Sequence, residues 1–306
     1  MAARGAGSLE ETLAVAAEEY RPFWVTWWHG ARDFVVKKPL GAFGAFIILS
    51  LLIVAIFADV IAPFNFREIF VGDRLEDPSG RHFLGTDELG RDIFSRIIRG
   101  ARVTVTVGFG AVAISALVAT AIGTLSGYFG GWVDSIIQRV VDAWMSIPSL
   151  VVLITVVRIF DPSLTTVTIA IGVSLSGAAS RVSRSAVLAI KGNQYMEAAQ
   201  AIGANDLRII RRYVLPNIFA PILIVATVQL GFAILIEATL SFLGFGVPPP
   251  EPSWGAMVGG TARSYALQQP LLSFWPGLFI FLVVYAFNMF GDGIRDVLDP
   301  RLRGAR

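Results

Sequence analysis

Six apolar segments constrain what this chain can fold into more than any other feature of its sequence. Each is close to the ~20 residues that an α-helix needs to cross the hydrocarbon layer of a membrane. They lie at about 41–61, 103–125, 140–159, 164–187, 218–240 and 271–290. Of the 306 residues, 55% are hydrophobic and 16% are charged. The sequence therefore predicts an all-α integral membrane protein with six transmembrane helices.

The charged residues indicate how the chain lies in the membrane. With the N-terminus inside and six spans, all three lysines and most of the 25 Lys and Arg residues fall on the inner side. An excess of positive charge in inner loops is the usual rule for membrane proteins. The first apolar segment is long enough to span and is interpreted as a retained helix, not a cleaved signal peptide. We therefore expect both termini in the cytoplasm.

These features divide the chain into five parts. They are a cytoplasmic tail (1–40), a first span (41–61), a long outer loop (62–102), a core with the other five spans (103–292) and a second cytoplasmic tail (293–306). In the first tail, Phe23, Trp24, Trp27 and Trp28 precede basic residues. Aromatic rings beside cations are typical of the headgroup layer, so this part predicts an interfacial helix.

The sequence lacks residues that several catalytic and binding chemistries require. It has no cysteine, which excludes disulfides and thiolate chemistry. None of the three lysines follows a glycine, so the chain has no Walker-type phosphate loop and a partner must split ATP. His29 and His82 fall on opposite sides of the membrane in this topology, which argues against a histidine metal centre or a Ser-His pair. The net charge of +2 does not indicate nucleic-acid binding. We expect no catalytic residue, no metal and no cofactor bound by this chain.

The end of the outer loop carries a second informative stretch, HFLGTDELGRDIFSRIIRGAR at 82–102. Its isoleucines and phenylalanine repeat at helical spacing while arginines take the other faces, which predicts an amphipathic helix that leads into the second span. Either Thr86 or Asp87 is suited to cap the start of that helix. The stretch is either a solvated helix with paired charges or a docking surface for another protein, and the two interpretations are compatible.

A polar and basic stretch, EAAQAIGANDLRIIRRYVLP at 197–216, separates the fourth and fifth apolar segments. Small side chains in it allow close approach to a partner, and its proline suits the first turn of the next helix. The spacing resembles the EAA loop of ABC-transporter permeases, with Tyr213 where that pattern most often has Ile. The residues that carry the resemblance are Glu197, Ala198, Ala199, Gly203, Leu215 and Pro216. The resemblance implies a short coupling helix bound by an ATPase subunit; the alternative is an ordinary basic inner loop.

Two further stretches narrow the resemblance. GTDELGRD ahead of the second span and SFLGFGVPPPEPSWG after the fifth are similar to the dipeptide/oligopeptide class of ABC permeases, and the long N-terminal part is similar to its C-type subunit. The resemblance covers most of residues 20–300 and implies a type I importer permease of the bacterial inner membrane. It also implies a homologous second permease, two ATPase subunits that hold ATP and Mg, and an external solute-binding protein. Its substrates include di- and oligopeptides, nickel chelates and oligosaccharides, of which peptides are the expectation.

One acidic residue, Glu237, lies within the fifth apolar segment. A charge within a span is costly, which makes Glu237 a candidate for the translocation path. Alternatively, hydration or an arginine near the outer end of the span satisfies it. In a rival interpretation the chain is a stand-alone channel or secondary transporter with Glu237 or Asp142 as its coupling carboxylate. In another, the chain is a docking platform for a sensor.

Small residues recur at every fourth position at and just beyond the end of the second apolar segment, and within the fourth. They are Gly123, Gly127 and Gly131 in one, and Gly172, Ser176 and Ser180 in the other. Such faces allow close helix contact, so we expect packing between helices at these positions and not substrate contact.

Overall fold

The computed structural model describes residue 32, residues 34–265 and residues 267–298. These residues form helices and loops without a β-strand, apart from an isolated bridge between Thr86 and Asp92. The predicted all-α class is confirmed for this part of the chain. The predicted interfacial helix around Trp24 and the end of the C-terminal tail lie outside the described residues.

The helices are numbered here in chain order. They are α1 (Pro39–Ile56), α2 (Ala58–Ile61), α3 (Ile93–Phe129), α4 (Gly131–Ser146), α5 (Ser149–Ile159), α6 (Leu164–Lys191), α7 (Gln194–Ala201), α8 (Asp206–Ile209), α9 (Leu215–Phe242), α10 (Trp254–Val258) and α11 (Leu271–Leu298). A π turn (Ile210–Val214) joins α8 to α9, and a 3₁₀ turn (Gly260–Tyr265) follows α10.

Several of these helices have the length and apolar composition of membrane spans. Within the described residues four qualify, namely Pro39–Ile56, Ile93–Phe129, Asp206–Phe242 and Leu271–Val297. A fifth is added if α4 and α5 count as one bent span. α6 has 28 residues, about 42 Å at ~1.5 Å per residue, but its serines, threonines and arginines lower its hydropathy. The structure therefore gives four or five spans by this measure, and the number six stays a prediction.

The third predicted segment, 140–159, is bent in the structure. α4 and α5 meet at Ile147 and Pro148 with an angle of 87° between them. Proline has no N–H with which to continue a helix, and it favours extended backbone in the residue before it. Ile147 accordingly has φ −85° and ψ 130°. The bend gives the bundle a concave side at this point.

α3 is the central helix of the bundle. Its 37 residues pack along α6, α9 and α1. The main apolar core lies at these contacts, and its fully buried members include Val107, Ala111, Leu153, Ile171 and Ala233. Burial of these side chains supplies most of the packing that holds the helices together.

The predicted small-residue faces bring α3 and α6 into close contact. A Cβ built on Gly123 would lie 2.4 Å from a side-chain atom of α6, and one on Gly127 would lie 2.9 Å from another. In the opposite direction, a Cβ on Gly172 would lie 2.7 Å from a backbone oxygen of α3. The packing prediction is confirmed at these positions. It is wrong for Gly131, which begins α4 and has nothing within 4 Å of its Cβ position.

The start of α3 differs from the sequence-based expectation. The helix begins at Ile93 and continues without a break into the second span. Its N-cap is Asp92, whose carboxylate accepts a hydrogen bond from the Ser95 N–H at 2.7 Å. The expected cap, Thr86 or Asp87, is therefore wrong.

Residues 62–92 form a lobe of turns that precedes α3. Thr86 Oγ1 accepts the Glu76 N–H at 2.9 Å, and Asp87 Oδ1 accepts the Leu89 and Arg91 N–H groups at 2.9 and 3.0 Å. Both side chains are thus used to fold the 62–92 lobe. This is why they do not cap the helix.

Candidate coupling segment and membrane cavity

The stretch predicted to couple to an ATPase, 192–216, forms a compact segment between α6 and α9. It consists of α7, a turn, α8 and the π turn. Gly203 has φ +78° in the turn, a conformation that glycine adopts without steric cost. Asn205 accepts the Arg208 N–H at 2.9 Å and begins α8. Pro216 lies in the first turn of α9 as expected.

The six residues predicted for this site do not share one surface. Ala199 is 2% exposed and faces the protein, whereas the other five, Glu197, Ala198, Gly203, Leu215 and Pro216, are exposed. Two apolar side chains that sequence reasoning missed extend the exposed face, because Ile202 is 81% and Leu207 is 63% exposed. Apolar residues within a polar loop were the available signal for them.

The coupling segment has an apolar cluster of its own, apart from the main core. Its buried members are Tyr128, Val187, Met196, Ala199, Ile209, Val214 and Ile218. They come from the segment and from the adjoining ends of α3, α6 and α9. A polar contact lies beside this cluster: the Tyr128 hydroxyl of α3 donates to Asp206 Oδ1 of α8 at 2.7 Å. The segment therefore rests on the ends of three helices.

Two ion pairs fasten α4 to α6 near the segment. The Arg184 guanidinium donates to both carboxylate oxygens of Asp134, at 2.6 and 2.5 Å. Arg181 donates to Asp142 at 2.5 Å, and the Asp142 side chain is 61% exposed. Asp142 is thus an exposed, paired carboxylate.

Glu237 is 1% exposed in α9. Its Oε1 accepts the hydroxyls of Ser241 at 2.7 Å and Ser253 at 2.8 Å. Ser253 follows the proline-rich loop and begins α10, so the carboxylate ties that loop to α9. Its partners are serine hydroxyls where an arginine or bulk water was expected.

A cavity of about 1080 Å³ lies beside the bend between α4 and α5. Its walls come from the bend, α6, α9 and Arg295 of α11, and they are mostly apolar. Residues of the wall include Trp144, Pro148, Leu175, Ala178, Pro221 and Phe232. Glu237 and Asp142 are not part of its lining.

Gln229 is one of the polar residues that line this cavity, and the sequence did not single it out. Its Oε1 accepts the Ser115 hydroxyl of α3 at 3.0 Å, and its Nε2 donates to the Leu175 carbonyl of α6 at 3.0 Å. Gln229 thus joins three helices at the cavity wall. An amide within an apolar run was the sequence signal for Gln229. The ionisable Glu237 on the same helix is the stronger signal by charge alone.

Membrane-length helices around a large apolar cavity, with an exposed polar segment between two of them, fit the class of membrane permease subunits. Residues 119–304 match the family described as binding-protein-dependent transport system inner membrane component. Residues 26–78 match the N-terminal TM domain of oligopeptide transport permease C. The chain belongs to this family of inner-membrane ABC-importer permeases, as its sequence resemblance indicated.

Relatives over nearly the whole chain carry related names. The dipeptide transport system permease protein DppC of Alkalihalophilus pseudofirmus is 40% identical over 90% of both chains. The glutathione transport system permease protein GsiD of Pectobacterium atrosepticum is 39% identical over 93% of this chain and 92% of its own. GsiD of Escherichia coli O6:K15:H31 is 37% identical over 98% of both.

A solved structure shares the fold. A chain of the MetNI methionine ABC transporter, in an inward-facing conformation, aligns with 66% of this chain and 96% of its own. The TM-score is 0.55 at 18% sequence identity. The fold is therefore that of a type I ABC-importer permease.

Proposed function

We propose that this chain forms half of a translocation path for di- or oligopeptides. ATPase subunits that bind the coupling segment drive its conformational change. The observation that carries the proposal is the exposed face of that segment, formed by Glu197, Ala198, Gly203 and the apolar Ile202 and Leu207. Nothing lies within 4 Å of the Cβ position of Gly203. A partner can therefore approach the backbone there closely, and the apolar side chains offer it buried contact.

The partners follow from this arrangement. Two ATPase subunits hold ATP and Mg and hydrolyse the nucleotide, while this chain contributes no catalytic residue. A homologous second permease faces the open side of the cavity and completes the path. A solute-binding protein delivers substrate from outside. In this arrangement six spans place both termini and the coupling segment in the cytoplasm.

Peptides are the proposed substrates. The cavity wall is mostly apolar, with Gln229 and Asn217 among its polar side chains, which suits the mixed apolar and amide surface of a short peptide. The relatives named above are a dipeptide and a glutathione permease, and both names refer to short peptides. Nickel chelates and oligosaccharides are the alternatives within the family.

The test is uptake into proteoliposomes that contain the complete importer, with radiolabelled alanylalanine and glutathione as probes. We expect ATP-dependent accumulation of at least one probe. Glu197→Arg and Gly203→Leu should abolish it while the chain stays inserted, because each disturbs the face that the ATPase grips. Glu68→Arg is a matched charge reversal on an exposed residue of the 62–92 lobe, and it should leave the ATPase subunits bound. If both segment variants import normally, the coupling assignment is wrong.

The rival function is secondary transport by this chain alone, with Asp142 or Glu237 as the coupling carboxylate. Asp142 is paired with Arg181 and Glu237 is enclosed by serine hydroxyls, and neither lines the cavity. Vesicles that hold only this chain, tested with an ion gradient and the same probes, distinguish the two functions. Gradient-driven uptake would favour the rival. Binding without accumulation by the complete complex would favour a sensor platform.

A further inference from the structure

Tyr128 connects the coupling segment to α3, a helix that does not adjoin the segment in the sequence. The residue lies at the C-terminal end of α3 and is 6% exposed. Its hydroxyl donates to Asp206 Oδ1 at 2.7 Å. The segment thus meets α3 through a side chain whose ring is buried and whose hydroxyl is bonded.

The backbone alone does not hold the segment in place. α6 ends at Lys191 with Gly192 as its C-cap, and Gly203 with φ +78° lies between α7 and α8. Nothing lies within 4 Å of the Cβ position of either glycine. Residues at the ends of elements are the usual places where a backbone hinge forms. Side-chain contacts therefore decide whether the segment moves with the bundle. The apolar cluster described above provides the apolar contacts, and the bond between Tyr128 and Asp206 adds a directional polar one beyond the second glycine.

The packing of α3 suits it to transmit a movement of the coupling segment to the rest of the bundle. Gly123 brings it so close to α6 that an added Cβ would lie 2.4 Å from Ser183. Its 37 residues extend about 55 Å at ~1.5 Å per residue. Its other end is fixed in the 62–92 lobe through Asp92, which caps the helix and lies 3.0 Å from Nδ1 of the buried His82.

We propose that Tyr128 is a positioning residue for transport: by binding Asp206, its hydroxyl makes the coupling segment move as one body with α3 and α6. Movement of an ATPase subunit then reaches the far end of α3 and the 62–92 lobe. This inference rests on the proposed coupling function. It adds a route through α3 to the covalent connections with α6 and α9.

The test measures ATP hydrolysed per alanylalanine imported by the reconstituted importer, or per glutathione if only glutathione is imported. Tyr128→Phe keeps the ring and removes the hydroxyl, Asp206→Leu removes the acceptor, and Asp206→Asn retains an acceptor oxygen. We expect the first two to raise the ratio about fivefold, at the low end of typical coupling between sites. The third should stay near the wild-type ratio. The double variant Tyr128→Phe/Asp206→Leu should be no worse than either single one, because both remove the same bond.

Tyr195→Phe is the matched control. Its hydroxyl bonds with Asn193 at 3.2 Å within the segment, so its loss should not change the ratio. A merely structural role for Tyr128 would lower the amount of assembled complex without changing the ratio. If Tyr128→Phe does not assemble, the two substitutions at the exposed Asp206 test the proposal. A raised ratio in Asp206→Leu beside a wild-type ratio in Asp206→Asn would support it, and equal ratios in the two would contradict it.

The absence of cysteine from the chain allows a rescue experiment. Tyr128→Cys combined with Asp206→Cys should raise the ratio, and a short bis-maleimide cross-linker should restore it. A wild-type ratio in Tyr128→Phe, or a raised ratio that cross-linking leaves unchanged, would overturn the proposal. A wild-type complex that imports neither probe would instead refute the proposed function.

Discussion

Two stretches of this chain carry the family resemblance, GTDELGRD at the end of the 62–92 lobe and the coupling segment. They differ in the burial of their polar side chains. In the 62–92 lobe, Thr86, Asp87 and Asp92 are 1%, 6% and 2% exposed, and their bonds shape the lobe and the start of α3. In the coupling segment, Glu197 and Ala198 are exposed. Buried polar residues maintain a shape, whereas exposed loop residues are available to a partner. Thr86, Asp87 and Asp92 therefore maintain the shape of the lobe, and docking of another protein at the 82–102 stretch stays a prediction.

The largest difference between the two regions should appear at their left-handed glycines. Gly85 has φ +81° and Gly203 has φ +78°, but an added Cβ would lie 2.4 Å from the Glu76 carbonyl oxygen at Gly85 and would meet nothing within 4 Å at Gly203. We expect Gly85→Ala to lower the free energy of unfolding by about 4 kcal/mol, because a steric conflict adds to the backbone cost. Gly203→Ala should lower it by about 1 kcal/mol. Denaturant unfolding of the purified chain in detergent measures both, and equal losses would contradict the comparison.

The next largest effect should come from the cap of α3. Asp92→Ala removes the cap and leaves the ring of His82, itself 1% exposed, without its 3.0 Å partner. We expect a loss of about 3 kcal/mol in the free energy of unfolding. Glu197→Ala removes an acidic side chain from the exposed coupling segment. It should change the free energy of unfolding by less than about 0.5 kcal/mol. The same unfolding measurement compares them. A similar loss at Glu197 would mean that the segment's polar residues also hold the fold.

The smallest effect concerns binding and not folding. Ile202→Ala and Leu207→Ala should each weaken association with the ATPase subunit by about 1 to 2 kcal/mol, because each removes apolar surface from the face that we propose the ATPase binds. Both should leave unfolding unchanged. Phe70→Ala is the control, since Phe70 is an apolar side chain of the 62–92 lobe that is 68% exposed. A binding titration in detergent measures the affinity. Equal weakening by Phe70→Ala would show that the surface is not specific to the segment.

The cap of α3 shows where sequence reasoning reached its limit. Thr86, Asp87 and Asp92 are all good cap residues by type. The turns of the 62–92 lobe bond the first two to Glu76 and Arg91, which leaves Asp92 for the helix. The bond between Thr86 and Glu76 joins residues ten apart, which a local pattern does not contain, whereas the bonds of Asp87 reach at most four residues along the chain.

α9 gives the same lesson for the membrane. Its apolar composition predicted a span, and the structure forms a helix there that is long and apolar enough to cross a membrane. The choice of Glu237 as the path candidate depended on charge alone, whereas Gln229 lines the cavity. Composition indicates that a helix crosses the membrane, but the faces of neighbouring helices determine which of its sides meets a cavity.

The sequence by itself determined the helical membrane class, the positions of most spans and the family. These depend on local composition and spacing, because the partition of a segment into lipid is decided within about 20 residues. Only the tertiary structure decided the bend between α4 and α5, the inward orientation of Ala199 and the bond between Tyr128 and Asp206. Burial and side-chain partners arise from residues far apart in the chain, so they are defined only when the helices have packed.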